Sequence, residues 1–287
     1  MARVVLVGYG QMLYSLIKGI EESGHHEIVG VLRNERVRMD SIGLFFKDIF
    51  NPSRDYIVVK YKKIYDIKAN SVNSNSFIEE IEKLKPDVII VGSWGEKFKK
   101  RILDKVPIIN FHPSLLPQNR GANPYFWTIY LNQKTTGLTV HLMNEKFDRG
   151  DIISQYEILI DENETGKTLK NKTTRLAREI VGNILDLFDS KQMQPIKQNE
   201  AYASYQKQLS LENTILDLKS PRVDVERHLR ALYPWAKGNI EFGRRFLRVE
   251  KYEFLENEYE YKPYKVLEEN RNFVLVAGLD FVLKVYV

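Results

Sequence analysis

Apolar and polar residues alternate along this chain with two periods, and the breaks between them hold glycine, proline or asparagine. Residues 4–7 are an unbroken apolar run and predict a buried strand. After Gly8-Tyr9-Gly10, the apolar positions Met12, Leu13, Leu16, Ile17 and Ile20 recur every three to four residues, which predicts a helix over 11–22. A strand at 28–32, a turn at 51–53 and a strand at 56–59 follow. Ser76 is the expected cap of a helix ending at residue 84. Residues 88–91 predict another buried strand, and 96–103 a helix with a solvated face of Lys97, Lys99, Lys100 and Arg101. Residues 108–112 predict a strand that Pro113 ends, and Pro124 opens a helix over 125–131. Strands at 138–143 and 152–160 precede a long amphipathic helix, 165–189.

Strands alternating with helices predict an α/β fold, a doubly wound and mostly parallel sheet. The polar stretch 192–201, with Pro195 and no apolar period, predicts a linker. Short aromatic and β-branched runs at 246–249, 252–255, 264–267, 273–276 and 281–287, with a helix at 223–232, predict a small β-barrel-like module. The expected domains are therefore 1–204, linker included, and 205–287.

Composition narrows the picture. The 287 residues are 43% hydrophobic, enough for a packed core, and hold no cysteine, which removes disulfides and thiolate metal sites. No apolar run reaches the roughly 20 residues of a membrane span, and the start of the chain lacks the build of a signal peptide. A cytoplasmic enzyme is expected. The net charge of +5 permits an anionic substrate without demanding nucleic acid.

The candidate chemistry gathers at strand ends. Alternation puts Asn110 and His112 on one face of their strand, at the carboxyl edge where open α/β sheets bind ligands. A polar cluster at 144–151 holds Asp148. An imidazole moves protons near neutrality, a carboxamide N–H steadies an oxyanion, and a carboxylate tunes the imidazole. No serine or cysteine is placed as nucleophile, so the set suits acyl transfer to an amine supplied by the substrate. The same pair can also be plain polar capping of a strand end. Gly8-Tyr9-Gly10 can cradle a phosphate at a helix start, but Leu13 replaces the third glycine of the dinucleotide fingerprint, and a tight turn explains it equally. His141 reads as a supporting or core histidine, His25 and His26 as surface, and His228 as structural. Tyr125, Phe126 and Trp127 fit either base stacking or a helix core face. No metal is expected.

Several motifs in order resemble the folate-dependent formyltransferase family: Asn110-x-His112-Pro-Ser-Leu-Leu-Pro117, Arg120-Gly121, Thr136-Gly-Leu-Thr-Val-His141 and Phe147-Asp-Arg-Gly-Asp-Ile152. The likeness implies a Rossmann-like catalytic domain and 10-formyltetrahydrofolate as formyl donor. It implies that His112 handles the proton and the oxyanion. Asn110 would steady the intermediate, and Asp148 would tune His112 and take the amine proton. The donor's pterin would lie against Ser93-Trp94-Gly95 and Asn144, Glu145 and Asp148.

For the acceptor, residues 205–287 carry 14 Lys/Arg against 13 Asp/Glu, too balanced for a tRNA-binding module. The run from Asn119 to Trp127 is similar to the amino-sugar group of the family. This implies a nucleotide-linked amino-dideoxy sugar, used in surface glycan or nonulosonic acid synthesis. Arg120 and the Gly8–Gly10 turn would hold its diphosphate, and Tyr125 its base. Expected partners are therefore small molecules, with neither nucleic acid nor membrane, and a homodimer is possible through the aromatic tail. The alternatives are methionyl-tRNA formyltransferase, a nucleotide-binding module without turnover, and an NAD-dependent oxidoreductase resting on Gly8-x-Gly10.

Overall fold

A computed structural model describes residues 1–33, 54–243, 245–257 and 261–287; the turn expected at 51–53 lies outside them. The chain divides into two compact units. One comprises Met1–Gly121, Thr136–Ile158 and Asn171–Tyr205; the other comprises Ala122–Thr135, Leu159–Lys170 and Gln206–Val287.

The first unit opens with β1 (Arg3–Gly8), α1 (Gly10–Ser23) and β2 (Glu27–Arg33). There follow α2 (Arg54–Tyr61), α3 (Asn75–Leu84), β3 (Val88–Gly92), a short α4 (Lys100–Leu103), β4 (Ile108–His112) and β5 (Arg120–Gly121). Next in the chain are α5 (Pro124–Tyr130), β6 (Thr135–Leu142), β7 (Ile152–Leu159) and α6 (Gly166–Asp189). The central sheet runs β2-β1-β3-β4-β6-β7. The β1–β2, β1–β3 and β3–β4 pairs are parallel, and β6 runs antiparallel to β4. The chain leaves β1 for β2 on one side and returns as β3 on the other, so the strand order reverses between β1 and β3. That is where doubly wound sheets open a ligand crevice.

Strand alternation builds two cores. Val4, Leu6, Ile90, Ile109 and Phe111 pack with Leu16 and Ile17 of α1 and Val181 and Ile184 of α6. Val5, Val7, Ile89, Val91 and Ile108 pack on the opposite face with Phe77, Ile78 and Ile81 of α3. Each fully buried side chain of this size contributes about 1.5–3 kcal/mol.

Three local expectations are corrected. Residues 56–59 lie in the helix α2, not a strand, because Asp55, Val58 and Val59 share one buried helical face. Ser74, not Ser76, caps α3, its hydroxyl accepting from the Phe77 N–H at 3.2 Å. The helix expected over 96–103 shrinks to Lys100–Leu103, because the Glu96 carboxylate accepts from the Val72 N–H and the Ser71 hydroxyl, and the Lys99 N–H donates to Asn73. No helix among the described residues is long and apolar enough to cross a membrane.

The two-residue β8 (Tyr205–Gln206) comes next in the chain, and in the second unit α7 (Arg222–Leu232) is followed by β9 (Gly238–Phe242), β10 (Arg245–Val249), β11 (Lys251–Glu256), β12 (Val266–Glu269), β13 (Phe273–Ala277) and β14 (Phe281–Tyr286). The strands form two antiparallel sheets, β10-β9 and β11-β14-β13-β12. Both feed one core, where Ile240, Val249, Val274 and Leu283 meet Val225 and Leu229 of α7. Pattern reading missed β9. The runs 122–135 and 159–170, expected within the catalytic domain, group with this unit.

Candidate functional site

The expected catalytic trio comes together at the carboxyl end of β4. Asn110 and His112 sit on one face of the strand, 9% and 5% exposed, while Phe111 enters the core between them. β6 brings His141 opposite Asn110, and the turn after β6 returns Asp148 beneath both. Three groups surround Oδ1 of Asp148: Nδ1 of His112 at 3.5 Å, Nε2 of His141 at 3.6 Å and Nδ2 of Asn110 at 3.4 Å. The other oxygen, Oδ2, accepts from the Gly121 N–H at 2.8 Å.

Hydrogen-bond partners set the proton positions. Nε2 of His112 lies 2.9 Å from the Asn119 carbonyl, which can only accept, so this nitrogen carries a proton and Nδ1 faces Asp148. Nδ1 of His141 likewise donates to the Leu142 carbonyl at 2.8 Å, and its Nε2 accepts from Asn110 at 3.1 Å. Burial opposes ionisation of Asp148. The positive charge the His112 and His141 rings carry when protonated, with the Gly121 N–H, outweighs it and holds the carboxyl well below the usual carboxylate range. The site thus contains a buried, ionised carboxylate between two imidazoles and a carboxamide.

The turn geometry explains the residue types. Asp148 and Asn119 have φ of 53° and 54°, and aspartate and asparagine tolerate this left-handed region better than most residues. A Cβ at Gly150 would stand 1.6 Å from the Leu142 carbonyl oxygen, so only glycine fits behind the Asp148 turn.

The two expected donor loops flank the trio. Ser93, at φ 63°, follows β3, whose Val91 pairs with Asn110. Trp94 is half-buried, its Nε1 without a hydrogen-bond partner, and Gly95 is exposed. Asn144 follows β6 and caps its own turn, Oδ1 accepting from the Lys146 N–H at 2.9 Å; Glu145 is exposed. The Lys97 ammonium lies 5.0 Å from the Phe147 ring and so links the loops.

The residues expected on the diphosphate are placed otherwise. Arg120 is 1% exposed, and its guanidinium is spent on Gln198 and Glu200 at 2.7–3.1 Å. The Gly10 N–H, which would greet a phosphate, donates to Oδ2 of buried Asp55 at 3.1 Å. Gly8 serves a close approach, because a Cβ there would meet the Gly92 carbonyl oxygen at 2.1 Å. Tyr9 is 44% exposed. Tyr125 belongs to the second unit, where it stacks on Trp235 with centroids 5.7 Å apart.

Residues 192–201 are more than a linker. Ile196 exchanges two backbone hydrogen bonds with Ile152, and the Gln198 amide donates to the Asp148 and Gly150 carbonyls at 2.8 and 2.7 Å. Sequence reading missed Gln198, Glu200 and the peptide groups of Asn119 and Gly121, since bonds of irregular separation, from 7 to 80 residues, leave no periodic trace.

Among the described residues, His25, His26 and Asp186 bring three possible metal ligands together. They already satisfy one another. Nδ1 of His26 accepts from the Ala2 N–H, which leaves the proton on the Nε2 that faces Asp186.

Sheet, switch point and buried trio together describe a group-transferring enzyme of the Rossmann-like class. The formyl transferase family pattern matches residues 2–185, and the chain belongs to that family. It is 30% identical over 284 residues to the methionyl-tRNA formyltransferase of Bacillus velezensis, covering 97% of this chain and 86% of that one. The Caldanaerobacter subterraneus methionyl-tRNA formyltransferase is 29% identical over 279 residues, covering 96% and 88%. Among solved structures, the N-formyltransferase from Helicobacter canadensis, crystallised with folinic acid and dTDP-3-aminofucose, superposes with a TM-score of 0.67 at 18% identity over 100% of this chain and 99% of that one. HypX from Aquifex aeolicus, crystallised with tetrahydrofolic acid, gives 0.69 at 16% identity over 99% of this chain; this chain spans 43% of HypX.

Proposed function

We propose that this enzyme transfers the formyl group of 10-formyltetrahydrofolate to the amine of a nucleotide-linked amino-dideoxy sugar. The observation that carries the reading is the convergence of Asn110, His112 and ionised Asp148 at one strand end in a formyl transferase family member. Small-molecule partners and a cytoplasmic location go with it.

The chemistry follows from the geometry. The neutral acceptor amine attacks the formyl carbon, a C–N bond forms, and the carbonyl oxygen becomes an oxyanion. Of the two Asn110 N–H bonds, the one at 3.4 Å to Asp148 is the weaker and can turn to that oxyanion. Asp148 helps take the proton the attacking amine loses by drawing it onto Nδ1 of His112, whose imidazolium form the ionised carboxylate stabilises. His112 exchanges its proton at Nδ1, because Nε2 is held by the Asn119 carbonyl. As the intermediate collapses, the bond from the formyl carbon to N10 breaks, and that nitrogen takes back the proton held at Nδ1 of His112 as it leaves. Ser93, Trp94, Gly95, Asn144 and Glu145 are the proposed walls of the donor site.

The nearly neutral charge of residues 205–287 favours a sugar over tRNA. One observation favours the second reading, methionyl-tRNA as acceptor: the methionyl-tRNA formyltransferases align over 96–97% of this chain, the C-terminal unit included. Incubating the protein with 10-formyltetrahydrofolate and a panel of dTDP- and UDP-linked amino sugars decides the matter. The reading predicts a formamide product, seen by mass spectrometry as the sugar plus one formyl group. No product with any sugar, together with formylation of charged initiator tRNA, overturns it.

A further inference from the structure

We propose that Arg120 is a positioning residue, which holds the two peptide groups beside it against the catalytic His112 and Asp148. The inference rests on the formyl-transfer reading of that site and adds a residue to its machinery. The three consecutive residues 119–121 divide the task. The Asn119 carbonyl accepts from Nε2 of His112 at 2.9 Å, and the Gly121 N–H donates to Oδ2 of Asp148 at 2.8 Å. Between them, the Arg120 side chain reaches away to a strap formed by residues 196–205.

Its guanidinium makes four hydrogen bonds there. Nε and Nη2 donate to Oε1 of Gln198 at 3.1 and 2.7 Å, and Nη2 and Nη1 donate to the two oxygens of Glu200 at 2.8 and 2.9 Å. This forked pairing fixes direction as well as distance. The flanking backbone needs such an anchor. Asn119 and Gly121 have φ of 54° and 95°, conformations that asparagine and glycine can adopt but that an unanchored segment would leave for others. The strap completes the hold, because Ser204 bonds to residues 117, 119 and 120.

A second route runs through Gln198. Its carbonyl oxygen accepts from Arg120, which forces its amide nitrogen toward the Asp148 and Gly150 carbonyls. Arg120 therefore steadies both the carboxylate of Asp148 and the left-handed turn that carries it. It also fixes the His112 tautomer that leaves Nδ1 free for proton exchange. The guanidinium is a buried structural cation, turned from the ligand-facing role its sequence context suggests.

The test uses the full-length protein and a graded series, Glu200→Gln, Glu200→Ala and Arg120→Lys. Glu200 is largely exposed, so its variants fold even if Arg120→Lys does not; circular dichroism checks this. The first readout is the ring-nitrogen spectrum of ¹⁵N-histidine-labelled protein, with His112 assigned by difference from His112→Asn. Wild type should show His112 protonated at Nε2, and Glu200→Ala a mixture of tautomers. This readout needs no acceptor, so it stands even if the acceptor is misidentified. The second is steady-state kinetics with 10-formyltetrahydrofolate and any amino sugar the panel identifies. The expected result is kcat lowered by about 10- to 100-fold in Glu200→Ala, less in Glu200→Gln, with both KM values little changed. An unchanged His112 spectrum across folded variants overturns the proposal, as does a raised KM at unchanged kcat.

Discussion

Asn110 donates its carboxamide N–H to Nε2 of His141 at 3.1 Å, and this bond decides which way the amide faces. His141 can accept there because its other nitrogen is committed to the Leu142 carbonyl. Replacing His141 with phenylalanine keeps the ring and removes the acceptor. The expected outcome is kcat reduced by about tenfold or more with donor KM nearly unchanged, measured by initial rates. A change confined to KM would place His141 in donor binding instead.

Asp148 should contribute to the acid side of the stability curve. Its folded-state pKa lies below the unfolded carboxylate value of about 3.9, so its contribution is present above that value and is lost as pH falls through it toward the native one. Asp148→Asn should therefore show a smaller drop in melting temperature between pH 5 and pH 3 than wild type. Parallel melting curves for the two proteins would contradict this.

Much of this site was legible in sequence. Alternation placed Asn110 and His112 side by side, because a strand leaves them no choice of face. The order of motifs singled out Asp148, although its approach depends on a left-handed turn that no periodicity reports. Arg120 was misjudged for a physical reason. A conspicuous arginine beside glycine suggests an anion ligand, and only folding reveals that Glu200, 80 residues on, neutralises it. The segment 192–201 read as a linker because polar side chains and a backbone bridge, not an apolar stripe, attach it. Residues 56–59 misled because a short apolar run fits helix and strand alike.

Gly150→Ala tests the turn behind Asp148. With a Cβ aimed 1.6 Å from the Leu142 carbonyl oxygen, the backbone must move. Urea unfolding should show a loss on the order of 3 kcal/mol, and activity should fall in whatever folded fraction remains.

Asp55 occupies the start of α1 in place of an external anion, so Asp55→Ala should cost about 1 kcal/mol in urea unfolding, the usual worth of a helix cap. It should also open the turn to anions, so inorganic phosphate should raise the melting temperature of the variant more than that of wild type. Equal stabilisation of both proteins would return the Gly8–Gly10 turn to the list of anion sites.

The central claim is that one imidazole, one carboxamide and one buried carboxylate move a formyl group from a reduced folate to an amine. The most direct measurement follows tetrahydrofolate release and formamide formation together, in wild type and His112→Ala, with 10-formyltetrahydrofolate and the sugar nucleotide proposed as acceptor. The account predicts one product per folate released in wild type, and turnover lowered by roughly 10²–10⁴-fold in the variant. Undiminished turnover in a folded His112→Ala protein would contradict it.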